Sequence, residues 1–253
     1  METAIQTTAQ LPQLAHARNP GMPLDLDWVA SVQANTSAIE RRCATLGGRR
    51  SVKKDFQAAW LLKAISLIDL TTLSGDDTVG RVQRLCAKAR QPVAPELLEK
   101  LGMQVLTTGA VCVYHEMVET AVRALEGSNI PVAAVSTGFP AGLSSYRTRI
   151  MEIGDSVKAG AKEIDIVISR RHVLTQNWQA LYDEMVEMRA ACGEAHVKAI
   201  LATGELQTLR TAFERLRRGE LTAQSFAEQA TSHSDLFAAL PPRFHAVWQD
   251  LMT

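Results

Sequence analysis

The sequence has no excess of charge, no long apolar run and no export signal, and each absence excludes a class of protein. Its 253 residues carry 27 basic and 27 acidic side chains, so there is no electrostatic footprint for nucleic acid or for an anionic membrane. The apolar runs are much shorter than the roughly 20 residues of a membrane span. The N-terminal METAIQTTAQLPQ lacks the basic-then-apolar order of a secretory signal. We therefore expect a cytoplasmic protein without nucleic-acid or membrane partners.

Cysteine is also scarce, and its spacing excludes two further classes. The four cysteines form no CxxC pair and no metal-ligand spacing; they are Cys43, Cys86, Cys112 and Cys192. A disulfide framework or a zinc site needs closely spaced or regularly paired cysteines. The sequence therefore predicts reduced thiols and no metal.

The first 64 residues differ in composition from the rest of the chain. Residues 1–23 are polar and contain three prolines, which is typical of a disordered leader. Residues 24–64 show helical spacing of apolar side chains in two stretches, from Asp25 to Cys43 and from about Asp55 to Ala64. We interpret this region as an N-terminal helical extension.

Five short apolar runs follow, and most of them end in polar residues, as buried parallel strands do. They are ISLIDLTTL, VLTTGAVCVY, IPVAAVSTGFP, KEIDIVIS and HVKAILATGEL. Helical patterns separate them at intervals of about 30 residues, which indicates right-handed βαβ units. Such units build an open doubly wound sheet or a (β/α)₈ barrel. The first loop, SGDDT, lacks the GxGxxG of a dinucleotide-binding sheet, so an α/β fold of the TIM-barrel type is favoured.

Two ionisable residues lie inside apolar runs. Asp165 in EIDIVIS shares a strand face with Val167, opposite to Ile164 and Ile166. Burial would raise its pKa toward values useful for proton transfer. Lys198 in the next run is its natural partner, either as a desolvated amine that acts in catalysis or as a cation that only neutralises Asp165.

Four more residues lie near strand ends and are candidates for substrate binding. Asp69 and Thr71 belong to the first run, Cys112 to the second and Glu205 to the end of the fifth. Each has a structural alternative: a buried carboxylate paired for packing for Asp69, strand propensity for the threonine, apolar filling for the thiol, and a helix N-terminal carboxylate for Glu205.

The motifs IDLTTLSGDDT, AVCVY, VSTGFPAG, EIDIVI, NWQALYDE and ACGEAHVKAILATGEL together resemble the deoxyribose-phosphate aldolase family. The resemblance covers about residues 24–211, and the six segments occur in the family order. It implies a (β/α)₈-barrel class I aldolase that needs no metal or cofactor. Such an enzyme cleaves 2-deoxy-D-ribose 5-phosphate to glyceraldehyde 3-phosphate and acetaldehyde through a lysine Schiff base.

The resemblance also implies roles for individual residues. Asp165 matches the proton donor and acceptor of the family, and Lys198 matches a supporting cation. Asp69 and Cys112 match residues that line or support the site.

The sequence departs from the family after the fifth run. The Schiff-base lysine of the family belongs to a FIKTSTG-like segment, which is absent here, and no lysine follows Lys198. Residues 65–211 correspond to roughly five units of a fold that has eight. Residues 212–253 show helical spacing and resemble no family segment, so we expect a helical tail.

Two functions remain open at this point. One is an aldolase-type lyase acting on a sugar phosphate, as a homo-oligomer or with a second chain that completes the barrel. The other is a catalytically inactive truncated or chimeric homologue that serves as a binding module.

Overall fold

The computed structural model describes residues 21–49 and 51–206. The helical tail predicted for residues 212–253 lies outside this part of the chain, as does the predicted leader except for residues 21–23. The chain divides between Gln33 and Ala34 into two compact units.

The N-terminal extension contains two short capped helices where one was predicted. In the first unit, α1 (Leu26–Ser31) begins after Asp25, whose carboxylate accepts a hydrogen bond from the backbone N–H of Trp28 at 2.8 Å. In the second unit, α2 (Thr36–Arg49) begins after Asn35, whose side chain accepts from the N–H of Ala38 at 2.9 Å. The single helix predicted from Asp25 to Cys43 is therefore wrong. The backbone at the end of α1 is extended, and a new cap restarts the helix.

The remaining elements alternate along the chain as predicted. They are α3 (Lys54–Ile65), β1 (Asp69–Thr71), α4 (Val79–Arg90), α5 (Pro95–Lys100), β2 (Ala110–Tyr114), a 3₁₀ turn (His115–Met117), α6 (Val118–Ala124), β3 (Val132–Ser136), α7 (Tyr146–Lys158), β4 (Glu163–Val167), α8 (Arg170–Leu174), α9 (Trp178–Ala191) and β5 (His196–Ile200). None of the helices in residues 21–49 and 51–206 has the length and apolar character needed to cross a bilayer.

The five strands form one parallel sheet in the order β1-β2-β3-β4-β5. This confirms the predicted α/β architecture of consecutive strand and helix units. β1 is shorter than its apolar run, because Leu67 and Ile68 donate backbone hydrogen bonds to Ala64 and Ile65 and so finish the last turn of α3. Apolar character alone could not separate that turn from the strand.

The main core lies between the outer face of the sheet and helices α4, α6, α7 and α9. β2 and β4 each contribute alternate residues to it; these are Val111, Val113, Ile164 and Ile166, all without solvent exposure. Ile153 of α7 and Met188 of α9 close the core from the helix side. The opposite, inner face of the sheet carries a smaller apolar cluster around Ala133 and Val135, and polar side chains of β1, β4 and β5 lie on the same face.

We expect Ile153→Ala to lower the free energy of unfolding by about 2–5 kcal/mol, because Ile153 is fully buried and its loss leaves a cavity. Met151→Ala on the same helix is the matched control, since Met151 is 55% exposed; its effect should stay within about 0.5 kcal/mol. Urea denaturation followed by circular dichroism measures both. Equal losses for the two variants would contradict this placement of the core.

Candidate active site

The inner face of the sheet gathers most of the predicted site residues. Alternation along the strands places Asp69 and Thr71 of β1, Cys112 of β2, Asp165 of β4 and Lys198 of β5 on this face. The register pairs Thr71 with Cys112, and Asp165 with Lys198. Five candidates from four strands therefore lie side by side.

Lys198 is the centre of this arrangement. Its Nζ donates a hydrogen bond to Asp69 Oδ2 and lies 2.9 Å from Glu163 Oε2 and 3.2 Å from Asp165 Oδ1. The four side chains form what we call the Lys198 cluster: Asp69, Glu163, Asp165 and Lys198. One ammonium thus serves three carboxylates.

The contact between Lys198 and Asp69 requires a strongly curved sheet. β1 and β5 are the first and last strands in the sheet order, and four strand spacings would separate them by about 19 Å in a flat sheet. No lysine side chain spans that distance, so the two strands approach each other across the concave inner face. This curvature is that of a barrel wall.

Asp165 is the most enclosed carboxyl of the cluster, with 14% of its side chain exposed. Burial raises its pKa, Lys198 opposes that rise, and the charges of Asp69 and Glu163 add to it. The Sγ of Cys112 lies 4.0 Å from Asp165 Oδ2. Burial, together with the charge of Asp165, raises the pKa of Cys112 to about 12. Asp165 is therefore held closer to its protonated form than a free aspartate.

The pKa of Lys198 does not follow the expectation for a desolvated lysine. A desolvated lysine loses proton affinity, and burial does act in that direction here. The hydrogen bonds to Asp69 and Glu163 and the charge of Asp165 outweigh it, and the pKa of Lys198 is raised above its usual range. This side chain is therefore an ammonium, which suits a supporting cation and does not suit a nucleophilic amine.

Glu205 is the one predicted site residue that lies apart from the Lys198 cluster. Its carboxylate pairs at 3.1 Å with Arg170, which also donates a hydrogen bond to the backbone oxygen of Ala141. Arg170 thus joins the segments that follow β3, β4 and β5. Thr71 remains on the inner face, where its hydroxyl donates to the backbone oxygen of Asp69 at 2.7 Å.

Glu163 was missed from the sequence although a signal for it exists. The alternation of EIDIV that turns Asp165 inward turns Glu163 inward as well. In the structure it contacts the same ammonium as Asp165.

A buried ion pair supports the segment that follows β4. Arg149 of α7 and Glu184 of α9 pair at 3.1 Å, with only 5% of each side chain exposed. Glu184 also accepts hydrogen bonds from the backbone N–H of Ser169 at 2.8 Å and from its hydroxyl at 2.6 Å. Helical spacing places Arg149 and Glu184 on their helices but cannot reveal their contact.

The loop after β3 is held by side chains of a similar kind. The buried Thr137 hydroxyl accepts from the N–H of Val167 at 2.6 Å and donates to carbonyl oxygens, which joins the ends of β3 and β4. The next residue, Gly138, has φ +74°, and a Cβ there would lie 2.5 Å from Ser144 Oγ. Its N–H donates to Glu152 at 2.9 Å. Only glycine fits this turn without displacing its neighbours.

The residues of this face give no sign of a metal centre. Within residues 21–49 and 51–206, no three His, Cys, Asp or Glu side chains are arranged to hold a metal ion. The three carboxylates of the Lys198 cluster instead pair with one ammonium.

Comparisons with a family model and with individual proteins identify the same aldolase family. The model of the DeoC/LacD family of aldolases matches residues 63–242. The chain is 51% identical to a mouse deoxyribose-phosphate aldolase over 231 residues, covering 90% of this chain and 72% of the relative. It is 50% identical to a human deoxyribose-phosphate aldolase over 229 residues, covering 89% of this chain and 72% of that protein. The family match also continues past Thr211, into the region for which the motifs identify no family.

One solved structure shows the same fold. It is a putative deoxyribose-phosphate aldolase from Coccidioides immitis, 24% identical, with a TM-score of 0.50. The match covers 70% of this chain, and this chain spans 63% of the length of that one.

We expect Cys112 to resist alkylation in the folded protein. With a pKa of about 12, about one Cys112 thiol in 10⁴ is ionised at pH 8, and the thiolate is the nucleophile. Exposed Cys43 should react with iodoacetamide first, as read by peptide mass spectrometry. The same labelling in guanidinium chloride serves as the control, where all four thiols should react. Equal rates for Cys43 and Cys112 in the native protein would contradict the assigned environment.

We also expect Arg149→Met to destabilise the protein by about 3–5 kcal/mol, because it leaves the Glu184 carboxylate buried without its cation. Arg123→Met is the matched control, since Arg123 pairs with Glu119 in an exposed i,i+4 bridge on α6. Such exposed bridges are worth less than about 1 kcal/mol. Thermal or urea unfolding distinguishes the two variants, and a small effect at Arg149 would argue against the buried pair.

Proposed function

Because the chain belongs to the DeoC/LacD family of aldolases, we propose that it is a cytoplasmic deoxyribose-phosphate aldolase-type lyase. Its substrate would be 2-deoxy-D-ribose 5-phosphate, cleaved to glyceraldehyde 3-phosphate and acetaldehyde by Schiff-base chemistry. The Lys198 cluster is the observation that carries the proposal. It brings an enclosed carboxyl and a cation onto one concave face, beside the thiol of Cys112.

Each inner-face residue has a role that this chemistry needs. Retro-aldol cleavage breaks a carbon–carbon bond, leaves an enamine on the Schiff base, and requires a group that takes and returns a proton. Asp165 supplies that group, since burial and the neighbouring carboxylates raise its pKa above that of a free aspartate and so favour proton uptake. Lys198 supplies a cation 3.2 Å from Asp165, and Asp69, Thr71 and Cys112 lie on the same inner face of the sheet.

The proposed chemistry also needs a lysine that forms the Schiff base. Lys198 is the one lysine on the inner face of strands β1 to β5, and its three carboxylates hold it protonated. No lysine follows it in the sequence. We propose Lys198, after substrate entry, as the candidate nucleophile within strands β1 to β5, with a second chain that completes the barrel as the alternative source.

These same observations favour a second candidate function. A family member whose only inner-face lysine remains an ammonium would bind a sugar phosphate or another protein without turning it over. Glu205, expected at the substrate, pairs with Arg170 in the structure and could contribute to such binding only after that pair opens.

Borohydride trapping decides between the two functions. The protein is incubated with 2-deoxy-D-ribose 5-phosphate or acetaldehyde and then reduced, and lysine adducts are located by peptide mass spectrometry. The aldolase function predicts a stable adduct on a lysine; Lys198→Met shows whether that lysine is Lys198. Absence of any adduct, with no acetaldehyde released, would leave the binding function.

If turnover is present, Asp165→Asn should lower the rate of acetaldehyde release by about 10²–10⁴-fold, because it removes a general acid and base. Asp155→Asn is the matched control, since Asp155 is an exposed residue of α7 paired only with Lys158. An Asp165→Asn variant that is folded by circular dichroism and retains the full rate would exclude Asp165 from proton transfer.

A further inference from the structure

The three carboxylates of the Lys198 cluster do not share the ammonium equally. Lys198 Nζ is hydrogen-bonded to Asp69 and lies 2.9 Å from Glu163, whereas Asp165 Oδ1 is farther away at 3.2 Å. That Asp165 oxygen is buried and has no hydrogen bond of good geometry. Lys198 therefore directs its protons mainly toward the other two acids, although Asp165 is its register partner in the sheet.

We propose that Glu163 is a positioning residue that draws the Lys198 ammonium away from Asp165 and so leaves Asp165 available to exchange a proton. The inference rests on the proposed function, since it takes Asp165 as the group that transfers the proton. Glu163 does not touch the reacting atoms in this scheme; it acts only through Lys198.

The strand geometry explains how Glu163 can do this. Glu163 and Asp165 lie on the same face of β4, two residues apart, which separates their Cα atoms by about 6.6 Å. Lys198 lies beside Asp165 in the register but reaches back along the strand to the longer side chain of Glu163. Asp69, on the opposite side of the concave face, also attracts the Lys198 ammonium by accepting a hydrogen bond from it.

The charged and titratable groups around Asp165 make the sign of the effect clear. Within residues 21–49 and 51–206 they are Asp69 from β1, Cys112 from β2, Glu163 from β4 itself and Lys198 from β5, while β3 contributes apolar Val135. Removing the charge of Glu163 deletes a repulsion that favours the protonated form of Asp165. It also frees Lys198 to move closer to Asp165. Both changes lower the pKa of Asp165.

The test is a carbon-13 NMR titration of the aspartate carboxyls in the full chain. Asp165→Asn identifies the Asp165 signal by its loss. In Glu163→Gln we expect the midpoint of Asp165 to fall by about 1 pH unit or more, as for a carboxyl that gains a closer cation. An unchanged or higher midpoint in this variant overturns the proposal.

Two further variants serve as a charge control and as a conservative substitution. Glu119→Gln makes the same change of charge on the exposed surface of α6, where Glu119 pairs with Arg123, and should leave the Asp165 midpoint in place. Glu163→Asp retains the charge on a shorter side chain and should give a midpoint between those of the wild type and Glu163→Gln. If Glu163→Gln does not fold, Glu163→Asp alone decides: a fall supports the proposal and no shift overturns it.

The titration also separates this inference from the proposed function. A protein without turnover whose Asp165 midpoint falls in Glu163→Gln would refute the lyase function while supporting the role of Glu163 in the cluster. A protein with turnover and an unmoved midpoint would refute the role of Glu163 alone.

Discussion

The ammonium of Lys198 is the interaction on which the inner face depends. It contacts carboxylates from β1 and β4 while its own strand, β5, lies at the far edge of the sheet from β1. Three enclosed carboxylates without a cation would repel one another and lose solvation together. The same ion therefore holds the charge balance of the site and the curvature of the sheet. A neutral residue at position 198 could replace neither.

A second layer of contacts fixes the ends of the strands from outside. The Thr137 hydroxyl joins β3 to β4, and the Arg149–Glu184 pair holds Ser169 just beyond β4. These groups are buried and hydrogen-bonded, so they resist displacement. Because Asp165 lies on β4 just before those anchored points, its position on the inner face is set by the sheet and its helices and does not depend on a flexible loop.

Much of this architecture could be predicted from local patterns. The alternation in EIDIV assigned Asp165 and Val167 to one face of the strand, and the repeat of strand and helix indicated parallel βαβ units. Boundaries were less certain, since the apolar stretch before Asp69 finishes α3 before β1 begins. Burial alone could not decide whether Lys198 is a neutral amine or an ammonium, because its contacts with Asp69 and Glu163 leave no trace in the local sequence. Contacts between residues far apart in sequence, such as Arg149 with Glu184, leave no local pattern to read.

The alternation of β4 has a consequence for how this chain tolerates change. Ile164 and Ile166 fill the core, while Glu163 and Asp165 lie on the inner face of the sheet. Alternate residues of the same five-residue strand therefore belong to the core and to the candidate site. Loss or gain of one residue inside this strand would exchange the two sets at once. Carboxylates would then be buried in the apolar core, which would cost several kcal/mol of stability for each, and isoleucines would lie on the inner face of the sheet. A substitution in β4 therefore affects one face of the strand, whereas an insertion or deletion of one residue disrupts both the core and the candidate site.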